Sequence, residues 1–550
     1  MMKIQRINFV MACLVLVGIA LRLARLDEPV YWVDEVATSM RVAGYTLTEV
    51  TQQLTVGVPL TVEDLQRFQQ LGDRPWSATF YALTQSPEHA PLYFLLARAW
   101  VETFGNSVVT IRSLSVVLSL LTLPACFWLG HELFPKTRVK CLGTGLLAVS
   151  PLFVAYAQEA RPYSLWTLAL LLMNGALVRS LRSPRCLSWL AYTLALIVSL
   201  YTSLLTVLVL LGQGLVMLWV FHHPESGRGK WPFAPTVGAQ KQTKISSIRG
   251  YWISTGVGLG VFLPWIWIIF NHWQTLHSNT AWMQIPMDRV GLLALWIYNL
   301  AVLFFDVPVT VDLSWETFIK VTISFGLINF MGYALGVLWM KSPRWIGALV
   351  LALALSIPLA LIGIDLTLGG QRSAAARYYI PFYLGVLVAI AHLLTLGMAG
   401  ELKIRPRYWR AITTGLVSLC LMSCLFQWQS PPLYQKSRNL HNGAIATIIN
   451  QSVSRGEFPL LMGEPEQTLD ILSLSYLLQP QTAFLLGNIA DLSAFEAEAC
   501  RPVFILRPSE ALQSALQTSH RLEVVYQPQR LTRPELSLSL WQIQQEQCPP

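Results

Sequence analysis

Along the chain, long apolar blocks alternate with short polar turns. The blocks fall at 7–23, 112–134, 141–157, 163–181, 186–202, 203–221, 250–270, 317–340, 345–364, 376–398 and 409–427. Each is about 17–24 residues long, the length one helix needs to cross the hydrocarbon core of a bilayer. The pattern predicts an α-helical polytopic membrane protein with about eleven transmembrane helices, within a range of about 11–13. The apolar segment 290–305 contains Asn299 and at about 16 residues is short for a crossing, so it is expected to be re-entrant or to lie on the membrane surface.

Two polar regions interrupt the series. The 27–111 loop predicts a helix over Thr61–Leu71, with Glu63 and Asp64 in its first turn and Leu65, Phe68 and Leu71 three apart. A second apolar helix, Pro91–Phe104, is too short to span and is expected in the membrane interface. The 222–249 stretch reads as a linker. From about Ser430 short apolar runs (458–462, 483–486, 502–506, 522–526, 536–541) alternate with helical stretches (440–451, 467–478, 510–517). That alternation predicts a small α/β domain. The expected division is therefore 1–428, including the 27–111 loop, and 429–550, with packing or acceptor recognition as the expected role of the second domain.

Composition agrees with the block pattern: 54% of residues are hydrophobic and 13% charged, against about 25% charged in soluble domains. The net charge of +9 would suggest a nucleic-acid partner in a soluble protein, but here the basic residues collect in one set of loops. These are Lys3 with Arg6, Lys136–Lys140, Arg179–Arg185, Arg228–Arg249, Lys341 with Arg344, and Lys403–Arg410. The positive-inside rule makes that side cytoplasmic, and no nucleic-acid partner is expected. The 27–111 loop, the 158–162 turn, the 271–316 segment, the 365–375 loop and the C-terminal domain are then extracytoplasmic. The first helix lacks a small-x-small cleavage site and reads as uncleaved. Of the eight cysteines, Cys13, Cys126, Cys141, Cys186, Cys420 and Cys424 lie in or beside spans as packing residues. Cys500 and Cys548 lie in the polar tail and could pair in an oxidising compartment. No metal-ligand spacing is present.

This topology brings four patches to one side: Tyr31-Trp32-Val33-Asp34-Glu35, His89-Ala90-Pro91-Leu92-Tyr93, Gln158-Glu159-Ala160-Arg161-Pro162-Tyr163, and Gln371-Arg372 through Arg377-Tyr378. Each has a mundane alternative. The carboxylates could simply end a helix, the His could pack, Glu159 and Arg161 could pair across a solvated turn, and the late arginines could snorkel to headgroups. Together they offer a definite chemistry. A carboxylate takes the proton of an attacking hydroxyl, guanidinium forks hold phosphate oxygens, and aromatic rings stack on sugars. Those parts suit transfer of a sugar from a lipid phosphate, with the arginines stabilising the leaving phosphate.

The residues also resemble a family. Trp32-Val33-Asp34-Glu35 is similar to the Trp-x-Asp-Glu that follows the first helix of GT-C integral membrane glycosyltransferases. His89-Ala90-Pro91-Leu92-Tyr93, Ser150-Pro151 through Gln158-Glu159-Ala160-Arg161-Pro162-Tyr163-Ser164, and Arg377-Tyr378 with Pro381 match further elements in the same order. The likeness covers roughly residues 5 to 400 and looks closest to the bacterial branch of protein O-mannosyltransferases and aminoarabinose (lipid A) transferases. The resemblance implies the GT-C fold in a bacterial inner membrane, a polyprenyl-phosphate sugar donor, an inverting single displacement and an extracytoplasmic site. By the same carry-over Asp34 is the base with Glu35 in support. His89, Tyr93, Glu159, Arg161, Tyr163, Arg372, Arg377 and Tyr378 serve donor or acceptor, the acceptor being a lipid, glycan or protein. No cofactor is fixed by the residues, although some relatives use a divalent cation. Ala90 stands where the family has Pro, and Tyr201-Thr202-Ser203 where relatives have Tyr-Thr-His.

Two other functions use similar residues. A transporter or flippase of lipid-linked sugars would want charges among its helices, but two related halves with broken mid-membrane helices are not evident in the sequence. A glycan polymerase or ligase would favour a large central outer loop, whereas here the long loop is the first.

Overall fold

The computed structural model describes residues 2–55, 57–135, 138–222, 237–306, 314–429, 439–493, 501–528 and 538–544. In chain order, α1 (Met2–Leu23) leads into the first loop, which folds as α2 (Val33–Val42), α3 (Leu47–Leu54), α4 (Val62–Gln66) and α5 (Trp76–Thr84). There follow α6 (Leu92–Phe104), α7 (Val108–Leu133), α8 (Val139–Val149), α9 (Pro151–Ala157), α10 (Tyr163–Arg182), α11 (Cys186–Leu200), α12 (Thr206–His222) and α13 (Val237–Asn271). Next are α14 (Trp273–Asn279), α15 (Arg289–Ala301), α16 (Trp315–Lys341), α17 (Arg344–Leu368), α18 (Ile380–Ala399) and α19 (Pro406–Gln427). The C-terminal segment holds α20 (Asn442–Ser454), β1 (Leu460–Gly463), α21 (Thr468–Leu474), β2 (Ala483–Leu486), α22 (Ile489–Ser493), β3 (Val503–Leu506), α23 (Glu510–Gln517), β4 (Arg521–Tyr526) and β5 (Leu540–Gln544).

Every apolar block of the sequence is helical. Among the described residues seven helices are long and apolar enough to cross a membrane, and α8 with α9 adds an eighth span if that pair, bent by 60°, crosses as one. The Phe9–Leu23 part of α1, α11 and the Thr206–Val220 part of α12 are shorter apolar helices, and so is α15, the segment expected not to span. Leu215, Trp267, Phe325 and Leu359 on these helices are each at least 63% exposed, as side chains facing hydrocarbon are. The Thr61–Leu71 helix is shorter than expected. A capping box of Thr61 and Asp64 starts α4, which passes after Gln66 into the single 3-10 turn Arg67–Gln69. Cys126, Cys141, Cys420 and Cys424 are buried free thiols, whereas Cys500 and Cys548 lie outside the described residues, as does much of the 222–249 linker.

The chain divides into two compact units, and the division is not the sequence boundary at 428/429. Unit 1 is 1–26, 86–93 and 112–434; unit 2 is 27–85, 94–111 and 435–550. The first loop thus folds with the C-terminal segment. Main-chain pairing is one reason: Leu60 and Phe484 exchange both hydrogen bonds at 2.7 and 2.9 Å, covering the outer edge of β2, where unpaired peptide groups would otherwise be left.

Within unit 2 the sheet order is β2-β1-β3-β5-β4. β1 pairs parallel with β2 and β3, while β5 runs antiparallel to β3 and β4. Leu460, Met462, Val503 and Ile505 on the strands pack with Leu512 and Leu516 of α23 in a closed apolar core. The expected α/β layering is present.

Within unit 1 the feature that shapes the candidate site is the break between α8 and α9. Pro151 has no N–H, and Ser150 is extended (ψ 123°), so the carbonyls of the preceding turn lose their helical donors. Arg22, fully buried near the end of α1, replaces them: Nη1 donates to Ala148 O at 2.5 Å and Nη2 to Leu147 O at 3.1 Å. Nε donates to Ser119 Oγ at 2.9 Å, and Cys424 Sγ lies 3.6 Å from Val149 O. A buried arginine therefore repairs the break. Gly18 permits the approach, since a Cβ there would lie 2.3 Å from Ala148 O.

Candidate active site

In unit 2, Asp34 and Glu35 open α2. Trp32 takes the extended conformation (φ −84°, ψ 170°) that precedes a helix, and Glu35 N–H bonds back to Trp32 O at 2.9 Å. Nine of the ten residues of α2 are buried, and Asp34 alone keeps partial exposure. Thr38 Oγ1 donates to the Asp34 carbonyl at 2.8 Å. Asp34 therefore stands on a helix start with access, whereas Glu35 is at 0% exposure.

Unit 1 holds the other predicted residues. The bend at Pro151 makes α9 short, so the chain turns back at Gln158. Its Nε2 donates to Leu21 O and Ala24 O at 2.9 and 2.8 Å, closing the open carbonyls at the end of α1. The turn that follows is tight, with Arg161 N–H bonded to Glu159 O at 2.8 Å. Glu159, Arg161 and Tyr163 are all buried, at 1, 4 and 7% exposure. A solvated turn is thereby excluded, and ionisable residues held at such depth point to a site. The Arg161 guanidinium lies 5.8 Å from the Tyr163 ring centre.

The His89–Tyr93 patch reaches the same turn through one hydroxyl. Tyr93 is fully buried, its OH is 2.8 Å from Ser115 Oγ, and Ser115 Oγ donates to Arg161 O at 3.4 Å. Tyr93 thus supports the Arg161 turn from within. His89 is partly exposed, with Nε2 3.7 Å from Glu88 Oε1. Both Glu88 oxygens accept from Asn279 Nδ2, at 3.1 and 3.2 Å, which ties the patch to the end of α14.

The late arginines separate in role. Arg372 Nη1 lies 3.2 Å from Asp365 Oδ1 and donates to Gly369 O at 2.7 Å, so it braces its own loop. The other Asp365 oxygen accepts from Ser373 N and Oγ, both at 2.6 Å. Gln371 fastens the loop to the Ala281–Gln284 turn, with N–H to Met283 O and Nε2 to Trp282 O, each 2.9 Å. Arg377 and Tyr378 are half-buried on the 3-10 turn Ala376–Tyr379. The Arg377 guanidinium stands 5.6 Å from the Trp282 ring centre and 5.4 Å from that of Tyr378.

Tyr156 is the last aromatic residue of α9. Its ring centre is 4.6 Å from that of Tyr163, and its hydroxyl is in electrostatic range of Glu159, Tyr383 and Arg377. Arginines of this kind can hold an oxyanion, and paired tyrosines can face a sugar. Asp365, Trp282 and Ser115 were not singled out in the sequence. Asp365 left a faint signal, a carboxylate at the end of an apolar block. Among the described residues no three His, Cys, Asp or Glu side chains converge as metal ligands.

Solved structures give the comparison. The chain is similar to ArnT from Cupriavidus metallidurans bound to undecaprenyl phosphate, at 12% identity and a TM-score of 0.49 over 96% of this chain and 97% of that one. It is also similar to the archaeal oligosaccharyltransferase AglB from Archaeoglobus fulgidus in complex with an inhibitory peptide and a dolichol-phosphate. There the identity is 10% and the TM-score 0.46, over 87% of this chain and 65% of that one. Both are GT-C glycosyltransferases. The likeness concerns the course of the chain and transfers no residue role. No protein-family model and no curated protein matches the chain.

Proposed function

We propose that this protein is a membrane glycosyltransferase that moves a sugar from a polyprenyl-phosphate donor to an acceptor hydroxyl at the extracytoplasmic face of the membrane. The observation that carries the reading is that Tyr156, packed on Tyr163 of the buried Glu159–Tyr163 turn, feels the charges of both Glu159 and Arg377. It couples two sequence-distant patches of the motif series through one residue, which supports the reading. The positive-inside distribution of Lys and Arg supports the orientation.

In the proposed reaction the acceptor oxygen attacks the anomeric carbon and the bond from that carbon to the phosphate oxygen breaks. Polyprenyl phosphate departs with the bonding pair, and the configuration inverts. Asp34 takes the acceptor proton as base, with Glu35 in support. Arg377 and Arg161 carry the charge that develops on the leaving phosphate, and the Tyr156–Tyr163 pair lies against the sugar or the first prenyl unit. His89 positions donor or acceptor.

Purified full-length protein given a panel of polyprenyl-phosphate sugars, with free polyprenyl phosphate followed by mass spectrometry, tests this. Release dependent on an acceptor and on Arg377 supports it. Donor that binds without any release, whatever acceptor is offered, contradicts it.

A further inference from the structure

The C-terminal α/β segment has no counterpart in the motif series, and its contacts within unit 2 suggest its role. A helix start leaves backbone N–H groups without partners, and a side-chain acceptor at the N-cap normally takes one of them. At α2 the N-cap is Trp32, which has no such acceptor. The Val33 N–H donates instead to Asn439 Oδ1 at 3.0 Å, from 406 residues away. On the other side of Trp32, the Tyr31 carbonyl accepts from Ser473 Oγ of α21 at 2.7 Å. The two peptide groups that flank Trp32 are therefore both held by the C-terminal segment.

The holding residues are themselves set in a buried polar network. Asn442 Nδ2 donates to Ser473 Oγ at 3.1 Å and Asn439 Nδ2 to Asp470 Oδ1 at 3.4 Å; all four residues have 0% exposure. The Tyr31 ring meets Tyr476 edge-on at 4.8 Å, and Tyr476 OH donates to Gln69 Oε1 at 3.3 Å. Thr51 Oγ1 bonds Thr468 Oγ1 at 3.1 Å, and Gln66 Nε2 bonds Ser475 O at 3.2 Å. Polar groups sealed from water stabilise one geometry when all are satisfied. A ten-residue helix moves as a rod, so fixing its first turn fixes Asp34, its one partly exposed residue.

We infer that the C-terminal segment serves as a remote helix cap, with Asn439 and Ser473 as positioning residues that set where the Asp34 carboxylate stands. The inference rests on Asp34 being the base of the proposed transfer.

The test uses the exchange of one charge. Asn439→Asp alone sets a second carboxylate against Asp470 in place of the amide donor, which drives residue 439 from its place at Val33, whereas Asn439→Asp with Asp470→Asn keeps the acceptor for Val33 and restores one amide donor between the pair. Turnover is measured on full-length, folded protein and normalised to donor-bound sites. Hydrogen exchange of the 31–42 peptide and the parallel Asp34→Asn variant are read beside it. The expected result for Asn439→Asp is a fall in kcat on the order of 10- to 100-fold at unchanged donor KM. Faster exchange over 31–42 accompanies it, and both return in the double variant. Wild-type kcat and exchange in Asn439→Asp, with Asp34→Asn inactive, overturn the cap alone. Near-normal turnover of Asp34→Asn instead overturns the base assignment and with it the catalytic meaning of the cap.

Discussion

Arg372 Nη1 lies 3.2 Å from Asp365 Oδ1, joining the last turn of α17 to the loop that carries Arg377. The Asp365 side chain is fully buried and that of Arg372 is 22% exposed. Arg372 is thus a structural member of the loop, which leaves Arg377 as the arginine proposed to meet the phosphate. Removing one member of a buried pair costs about 3–5 kcal/mol because the other charge is left uncompensated. Asp365→Asn is expected to lower Tm and to raise donor KM at least about tenfold, with acceptor KM little changed. Donor titrations of the purified variant check this, and an unchanged donor KM would show that the brace does not reach Arg377.

Gly370 tests the same loop through its backbone. It sits at φ +109°, and a Cβ there would meet Arg372 Nη1 at 2.5 Å and Met283 O at 2.6 Å. Gly370→Ala therefore combines strain with a clash and is expected to cost about 1–3 kcal/mol. Its kinetic defect should match that of Asp365→Asn in kind. Thermal unfolding and donor KM are the two readings, and a variant indistinguishable from wild type in both contradicts the tight packing of loop and turn.

Arg377→Ala is expected to weaken donor use by roughly tenfold or more and to leave the ranking of acceptors as it was. Arg377→Lys should recover part of the loss, since an ammonium supplies charge without the planar fork. Equal losses towards donor and acceptor would remove Arg377 from the phosphate.

Asp306 gives a pH signature. It is buried after α15, accepts from Tyr298 OH and Gln427 Nε2 at 2.6 Å each, and burial pushes its carboxyl up to about 6. A carboxyl raised in the folded state favours folding while protonated, so stability falls as pH climbs from the ordinary carboxylate range through about 6 and then levels off. The shift corresponds to a loss on the order of 3 kcal/mol. The Tm of wild type minus that of Asp306→Asn should therefore drop as pH rises from about 4 to about 6.5 and level off above. A pH-independent difference would contradict a buried, titrating Asp306.

Much of this was legible in the sequence for a physical reason: block length and period are local properties. The spans follow from uninterrupted apolar runs, and the strands of the C-terminal segment from short apolar runs between turn residues. The exposure of Asp34 and the depth of Glu159 and Arg161 were not legible, since burial is decided by packing between distant segments. The same holds for the pairing of Leu60 with Phe484, which moves the first loop into the unit of the C-terminal segment, and for Asn439 as the cap of α2. Arg22 was legible only as a charge near a helix end. Its work on the Leu147 and Ala148 carbonyls becomes visible once the break at Pro151 is placed beside it.

The most direct measurement is the single-turnover rate of sugar transfer by Asp34→Asn, with donor binding measured on the same preparation. Asparagine keeps the shape of the side chain and cannot take the acceptor proton. The expected result is a folded protein that binds donor like wild type and releases polyprenyl phosphate at least about 100-fold more slowly. A variant that binds donor and turns over at a near-normal rate would contradict it.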